Sequence, residues 1–229
     1  MQRTSSSSSL SVYFGLVLLL VALHLFFLFV PLQTVLPEQA SIFTWPALIL
    51  ISALGFVGVW AASKTGFPEM WDTTISNQQR FLMPALLGLG LGFVAVGIAR
   101  FQPLGQIDVA FPLSLPFYLY GGIVSEILLR LFLLPVPLWF LSSLLLRGRW
   151  QSPIFWGLAV ITALLVPWDA LGGLFQRGLL NQGIPVGVWV FVAFAFSVNV
   201  LVAYEYRTFG FIAPVMLRLS YYLVWHILF

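Results

Sequence analysis

The sequence contains no cysteine and few charged residues. Only 7% of its 229 residues are Asp, Glu, Lys or Arg, whereas about 25% is usual in a soluble domain. The absence of cysteine excludes a disulfide, a thiolate nucleophile and a thiolate metal site. So few charges cannot cover the surface of a water-soluble protein, whereas lipid chains require none. The formal net charge of +3 is also too small to indicate a nucleic-acid partner.

In place of charge the chain has long apolar segments, and hydrophobic residues make up 61% of it. Most segments are close to the roughly 20 residues that a helix needs to cross a membrane. The segments are Leu10 to Pro31, Ile42 to Ala62, Phe81 to Ala99, Val109 to Leu146, Pro153 to Leu171, Val186 to Tyr204 and Phe209 to Leu228. Short polar loops separate them, which predicts an all-α, polytopic transmembrane bundle of about seven spans.

The N-terminus has some features of a secretory signal. However, the apolar stretch from Leu10 to Pro31 is longer than the roughly 7–15 residues of a signal-peptide core. We therefore expect an uncleaved first helix, preceded by a disordered polar lead-in over residues 1–9. Residues 10–108 would then contain three N-terminal transmembrane helices.

Two glycines in the third segment predict close helix packing. Gly88 and Gly92 are four residues apart, a spacing that places both on one helix face. Small residues on such a face let neighbouring transmembrane helices approach each other closely. We therefore assign this pair to packing.

The fourth apolar segment is too long for one perpendicular helix, because it would measure about 57 Å if it were wholly helical. Its first part contains Pro112, Pro116, Gly121 and Gly122. These residues predict a broken, re-entrant piece over Val109 to Gly122 and a true span over Ile123 to Leu146. Irregular backbone at membrane depth is tolerated only where it is buried in protein or lines a wet cavity, so a break would indicate a site. A plain kinked helix is the alternative.

Five ionisable residues lie inside the later apolar segments: Glu126, Arg130, Asp169, Arg218 and His226. Each embedded charge costs at least about 2.5 kcal/mol on insertion scales, so each requires a partner or a wet cavity. Glu126 and Arg130 are four residues apart and share a helix face. Because two carboxylates and two arginines balance in charge, we expect a single buried polar cluster.

A family resemblance is carried by the stretch from Gly121 to Arg130, which reads G-G-I-V-S-E-I-L-L-R. It resembles the first signature, E-E-x-x-x-R, of the CAAX-protease and bacteriocin-processing (CPBP, or abortive-infection) family of glutamic intramembrane proteases. The family's later motifs are F-x-x-x-H and H-x-x-x-N. In this chain L-V-P-W-D, ending at Asp169, and R-L-S-Y-Y, from Arg218 to Tyr222, stand at the corresponding places. The resemblance covers residues 109–229 and implies a CPBP-like helical core there.

The resemblance also implies a set of site residues. In the family, glutamate and histidine activate a water for attack on a peptide bond, while histidine and asparagine steady the oxyanion. The corresponding residues here are Glu126 and Arg130, which are kept, and Asp169, Arg218 and Tyr222, which replace the two histidines and the asparagine. Ser125 replaces the first glutamate of the pair. We therefore expect Asp169 and Arg218 to form a salt bridge in place of the proton-shuttling pair.

Two functions follow from these substitutions. One is a non-catalytic pseudoenzyme that acts as a membrane-complex subunit or as a partner that binds peptides or helices. The other is a divergent intramembrane endopeptidase that processes membrane-associated peptides, in which Glu126 is the base and Arg218 and Tyr222 donate to the oxyanion. Expected partners are the lipid bilayer and other membrane proteins or a membrane-anchored peptide.

Other chemistries fit the sequence less well. It contains no zinc motif H-E-x-x-H and no serine-protease or aspartyl intramembrane-protease motif. We expect the single lysine, Lys64, to fall in a loop, which would exclude a retinal Schiff base in a helix. His24 and His226 are the only pair that could ligate a haem, and the embedded charges could instead serve an ion transporter. We expect neither a cofactor nor a metal.

The loop charges predict the orientation. With the N-terminus in the cytoplasm, six basic residues fall inside and two outside, as the positive-inside rule prefers. The inside set is Arg3, Lys64, Arg80, Arg147, Arg149 and Arg207, and the outside set is Arg100 and Arg177. Dividing the fourth segment into two crossings would place four basic residues inside and four outside. Seven spans in a cell membrane is therefore the preferred topology.

A reporter fusion tests this topology. We expect a reporter attached after Phe229 to behave as extracytoplasmic, because an odd number of spans places the two ends on opposite sides. Activity can be measured with one reporter that functions only outside the cytoplasm and another that functions only inside it. Cytoplasmic activity after Phe229 would contradict the prediction and favour eight spans or the inverted orientation.

Overall fold

The computed structural model describes residues 6–30, 43–101, 109–176 and 183–228, and these form helices and connecting turns without strands. The helices in the described part of the chain are α1 (Ser6–Phe27), α2 (Trp45–Lys64), α3 (Gln78–Phe101), α4 (Ser114–Leu145), α5 (Gln151–Gln176), α6 (Val186–Phe209) and α7 (Ile212–Leu228). The all-α fold of about seven helices is as the sequence predicts.

Helices α1 to α6 are each long and apolar enough to cross a membrane, and α7 is a shorter apolar helix. Large apolar side chains remain exposed on the outward face of every helix. Examples are Leu18, Leu50, Leu86, Leu144, Ile161, Trp189 and Leu228. Such a surface is compatible with lipid and not with water, so the chain is a multi-pass integral membrane protein that lies in a bilayer.

Helix α1 begins earlier than the apolar pattern indicates. It starts at Ser6 rather than Leu10, so the last residues of the expected lead-in are helical, while residues 1–5 lie outside the described part. Tertiary hydrogen bonds hold this first turn. The Ser8 hydroxyl donates to Glu69 Oε2 at 2.9 Å, and Ser9 Oγ accepts from the Met70 amide at 3.1 Å. The expectation of a disordered serine run therefore fails from Ser6 onward.

The expected break in the fourth segment is wrong. Helix α4 begins at Ser114 and runs through the glycine pair without interruption. Pro116 lies in the first turn, where a backbone N–H has no intrahelical acceptor. A Cβ on Gly122 would collide with Leu219 of α7, so this glycine serves close helix packing. The backbone irregularity lies further along, in a π-helical stretch at Ile127–Phe132 and a turn before Pro135.

The two halves of the chain pack against each other as one bundle. Helix α3 lies along α7, α2 packs on the π-helical stretch of α4, and α5 packs on α6. Gly88 and Gly92 of α3 face α7, and a Cβ on Gly88 would collide with the carbonyl of Leu217. The prediction that this glycine pair serves helix packing is confirmed.

Several ends of helices meet at one end of the bundle, which we call the basic end. Its described cations are Lys64, Arg80, Arg147, Arg149 and Arg207, which lie at or beyond the ends of α2, α3, α4 and α6. The Gln151 side chain donates to the Thr65 carbonyl, and Gly210 lies against the Glu69 carbonyl, so the loops here contact one another. The side of the membrane that this end faces stays a prediction from the charge count.

A pair of glycine substitutions tests the α3–α7 contact. We expect Gly88→Ala to lower the free energy of unfolding by about 1–3 kcal/mol, because the new methyl group meets backbone that cannot move aside. The matched control is Gly90→Ala, since a Cβ there has no neighbour within 4 Å. Unfolding in mixed detergent micelles measures both variants. Equal stability of the two would contradict the packing role.

Candidate functional site

Four polar side chains meet in the interior of the bundle, and we call them the charge cluster: Glu126 and Arg130 of α4, Asn199 of α6 and Arg218 of α7. Glu126 and Arg130 are 0% exposed, and the other two are also buried. Asn199 lies about 20 Å from the start of α6 and about 15 Å from its end, if each residue rises 1.5 Å. The cluster therefore lies near the middle of the membrane.

Short hydrogen bonds connect the three helices through this cluster. Arg218 Nε donates to Glu126 Oε1 at 2.7 Å, and a terminal nitrogen of Arg218 donates to Asn199 Oδ1 at 2.8 Å. A terminal nitrogen of Arg130 donates to the same Oδ1 at 2.8 Å and to the Asn199 carbonyl at 3.0 Å. Asn199 completes its own bonding by donating to the Ala195 carbonyl at 2.8 Å. One amide oxygen thus receives both guanidinium groups.

The cluster has unequal charge. One carboxylate faces two guanidinium groups, which gives a formal charge of +1 for the described side chains. Arg130 Nε lies 3.9 Å from Glu126 Oε2, within ion-pair range but too far for a hydrogen bond. Glu126 Oε2 and two nitrogens of Arg130 have no hydrogen-bond partner among the described residues. Because buried polar atoms are almost always bonded, these atoms mark the least satisfied part of the interior.

The π-helical stretch of α4 explains the long Glu126–Arg130 separation. Glu126 is the last α-helical residue, and Arg130 lies within Ile127–Phe132. A π-helical turn is wider than an α-helical turn, so it changes the direction of side chains one turn apart. Arg130 therefore reaches across to α6, while Glu126 reaches α7. Such bulges within helices are frequent at functional sites.

Tyr222 lies next to the cluster but is not part of its hydrogen bonding. The Arg218 guanidinium carbon is 5.8 Å from the centre of the Tyr222 ring, within reach of a cation–π contact. On its other side the ring contacts Tyr118 and His226, with centroid distances of 5.6 Å and 5.2 Å. Tyr222 thus contacts both the charge cluster and a group of aromatic residues.

The two histidines lie apart from the charge cluster. His226 stacks on Tyr118 at 4.3 Å with the rings nearly parallel, and His24 packs edge-on against Trp45 at 4.5 Å. Both nitrogens of His24 are buried without a partner among the described residues. No three described His, Cys, Asp or Glu residues come together as a metal site.

The expected salt bridge between Asp169 and Arg218 stays a prediction. The backbone of Asp169 belongs to α5, but its side chain lies outside the described part of the structure. Helix α5 packs on α6, which carries Asn199. Arg218 has Glu126 and Asn199 as its described partners. Of the five site residues that the sequence indicates, the structure joins Glu126, Arg130 and Arg218 directly and places Tyr222 beside them.

Sequence reasoning missed Asn199. Its side chain is a neutral amide and so carries no charge. An amide inside the apolar run F-A-F-S-V-N-V-L-V-A nevertheless indicates a hydrogen bond between helices. Glu205 was missed for another reason. The apolar pattern ends at Tyr204, but α6 continues to Phe209, so Glu205 lies within the helix and is buried.

A groove of about 370 Å³ lies on the membrane side of Tyr222, and we call it the lateral groove. Its walls come from α1, the start of α4 and the end of α7. The residues that line it are Leu23, Leu115, Pro116, Tyr118, Leu119, Leu219, Ser220, Tyr222, Leu223 and Ile227. Leu115 and Leu223 on its rim are exposed. Tyr222 therefore both lines an apolar, lipid-facing groove and lies beside Arg218 of the charge cluster.

Comparison with known proteins adds no relative to this description. No protein-family model matches the chain, and neither a curated protein nor a solved structure is significantly similar to it.

Single substitutions should reveal the unequal charge of the cluster. Glu126→Gln leaves two guanidinium groups without a counter-charge, whereas Arg218→Met leaves the Glu126–Arg130 pair neutral. We therefore expect Glu126→Gln to lower the free energy of unfolding by about 3–5 kcal/mol and Arg218→Met to lower it by less. Unfolding in detergent, with the double variant completing a thermodynamic cycle, measures both effects and their coupling.

The coupling decides the interpretation. Direct contact requires that the loss in the double variant differ from the sum of the single losses by at least about 1 kcal/mol. Ser197→Ala is the matched control, because Ser197 is exposed on the same helix as Asn199 and its described hydrogen bond is to Ala193 of its own helix. Additive losses, or a larger loss for Arg218→Met than for Glu126→Gln, would contradict the described cluster.

Proposed function

We propose that this chain is a non-catalytic relative of the CPBP intramembrane proteases that binds a membrane-embedded peptide or helix, as a free partner or as a subunit of a membrane complex. The observation that carries the proposal is the state of Glu126. This residue occupies the position of the family's glutamate, is 0% exposed, and accepts a 2.7 Å hydrogen bond from Arg218.

The surroundings of Glu126 argue against a role as general base. A base must lie within hydrogen-bond reach of the water that it deprotonates. Here Arg218 holds one carboxylate oxygen, and Arg130 lies near the other. Among the described residues no histidine bonds to Glu126. A carboxylate that lies between two guanidinium groups is suited to joining helices, because removing it would leave both buried cations without a counter-charge.

The lateral groove supports the binding role. It faces lipid, and its lining is apolar apart from Ser220 and the tyrosine hydroxyls. Helices associate in membranes through close packing and a few hydrogen bonds, because lipid is as apolar as the side chains. A concave face with Pro116 and Ser220 offers such packing, and Tyr222 offers a hydrogen bond. The occupant that fits is one apolar helix or extended segment of a partner.

One observation favours the alternative, a divergent active peptidase. Glu126 Oε2 has no hydrogen-bond partner among the described residues, and Tyr222, which lines the lateral groove, lies beside Arg218. If Tyr222 moved aside, a peptide in the groove would meet this oxygen together with Arg218. In that arrangement Arg218 and Tyr222 would donate to the oxyanion.

A cleavage assay separates the two functions. We expect the purified protein, reconstituted in lipid vesicles with labelled single-span peptides, to bind the peptides without cleaving them. Energy transfer between labels on protein and peptide measures binding, and mass spectrometry measures cleavage. Any slow hydrolysis should be unchanged in Glu126→Gln and in Tyr222→Phe, since neither residue would act in it.

Substitutions in the groove provide the control for binding. Leu223→Trp should fill the lateral groove and weaken association, whereas Leu86→Trp, on the exposed face of α3, should not. Tyr222→Phe keeps the aromatic ring and its packing, so it provides a folded variant for the test even if Glu126→Gln does not fold. Cleavage that both Glu126→Gln and Tyr222→Phe abolish would refute the non-catalytic function. Equal association of the two tryptophan variants would refute the groove as the binding site.

A further inference from the structure

A second cavity, of about 340 Å³, lies at the basic end of the bundle, and we call it the interfacial cavity. Its inner wall is apolar and buried, formed by Val59, Leu131 and Phe211. Phe56 and Trp60 line it and remain exposed to lipid. A cavity of this volume falls within the range of roughly 300–1,000 Å³ that small-molecule sites occupy.

The position of the cavity matches the boundary between lipid chains and water. Lys64 is the last residue of α2, and Trp60 lies one turn earlier. Trp60 packs edge-on against Trp139 at 4.7 Å. Tryptophans at helix ends next to a cation are typical of the membrane interface. A ligand here would place its head among polar residues and its chains along the lipid-facing helices.

Both a cation and an anion line this cavity. Lys64 is exposed and forms no ion pair among the described residues, and within the same part of the chain Glu69 accepts a hydrogen bond from the Ser8 hydroxyl. Tyr206 also lines the cavity and is 1% exposed, and its hydroxyl has no hydrogen-bond partner within the described part of the chain. Buried hydroxyl groups are rarely left unpaired, so a partner from outside the described residues is expected.

We propose that the interfacial cavity binds a zwitterionic aminophospholipid, such as phosphatidylethanolamine. The ammonium of Lys64 takes the phosphate, and the carboxylate of Glu69 takes the primary amine. Because Lys64 and Glu69 sum to zero charge, they complement a zwitterion and disfavour an anionic headgroup.

The apolar surface continues the site for the acyl chains. Leu10 of α1 and Phe56 and Trp60 of α2 line the cavity on its lipid side. Long apolar chains gain contact area along these residues and need not leave the bilayer core. This binding site is independent of the function proposed above, since it uses none of the residues of the charge cluster or the lateral groove.

Native mass spectrometry of the purified protein, titrated with defined lipids in detergent, tests the site. We expect phosphatidylethanolamine to bind more tightly than phosphatidylglycerol. Lys64→Gln should weaken phosphatidylethanolamine binding about tenfold, as the loss of one charge-assisted hydrogen bond predicts. Lys64→Arg should restore this binding. Glu69→Gln should remove the preference for phosphatidylethanolamine over phosphatidylcholine, whose quaternary amine cannot donate a hydrogen bond.

The matched control is Arg149→Gln, which removes a positive charge from the basic end at an exposed residue that does not line the cavity. Ser63→Phe obstructs the cavity without changing its charge and should weaken lipid binding as much as Lys64→Gln does. Circular dichroism and gel filtration establish that each variant is folded. Equal weakening by Lys64→Gln and Arg149→Gln, unchanged binding in Ser63→Phe, or tighter binding of phosphatidylglycerol would each overturn the proposal.

Discussion

The ion pair between Glu126 and Arg218 is the contact on which the arrangement of α4, α6 and α7 depends. In a bilayer no hydrophobic force drives helices together, so polar contacts and close packing must specify the fold. A buried charge without a partner is costly, which makes any arrangement that separates α4 from α7 unfavourable. Asn199 extends the same constraint to α6, because its amide oxygen is the shared acceptor of both guanidinium groups. Packing then fixes the remaining helices around this polar centre.

Much of the fold could be predicted from hydropathy, because membrane thickness sets the length of each apolar segment. Helix ends could not, since contacts distant in sequence decide them. Ser8 and Ser9 become helical through bonds to Glu69 and Met70. The glycine pair in α4 was also ambiguous. Glycine favours both a break and a close helix contact, and only the position of Leu219 in α7 distinguishes the two.

The sequence could predict which residues belong to the candidate site better than it could predict which of them contact each other. Embedded charges must find partners, so Glu126, Arg130 and Arg218 could be grouped from the sequence. Which charge meets which depends on helix rotation, and the π-helical stretch after Glu126 alters that rotation. A period of 3.6 residues assigns Glu126 and Arg130 to one face, whereas the structure directs Arg130 toward Asn199. Asn199 could not be grouped with these residues on the basis of charge, because its side chain is a neutral amide.

The π-helical stretch also connects the charge cluster with the interfacial cavity. It carries Arg130, which belongs to the charge cluster, and the next residue, Leu131, lines the interfacial cavity. Adjacent residues on a helix point in different directions, so a ligand in the cavity contacts the stretch without touching the charges. Tyr206 of α6 and Phe211, next to α7, also line the cavity, and a shift of the π-helical stretch is one route from such a ligand to the cluster. Glu126 is held from the other side by Arg218, so such a shift would change the Arg130–Asn199 contact before it changed the ion pair.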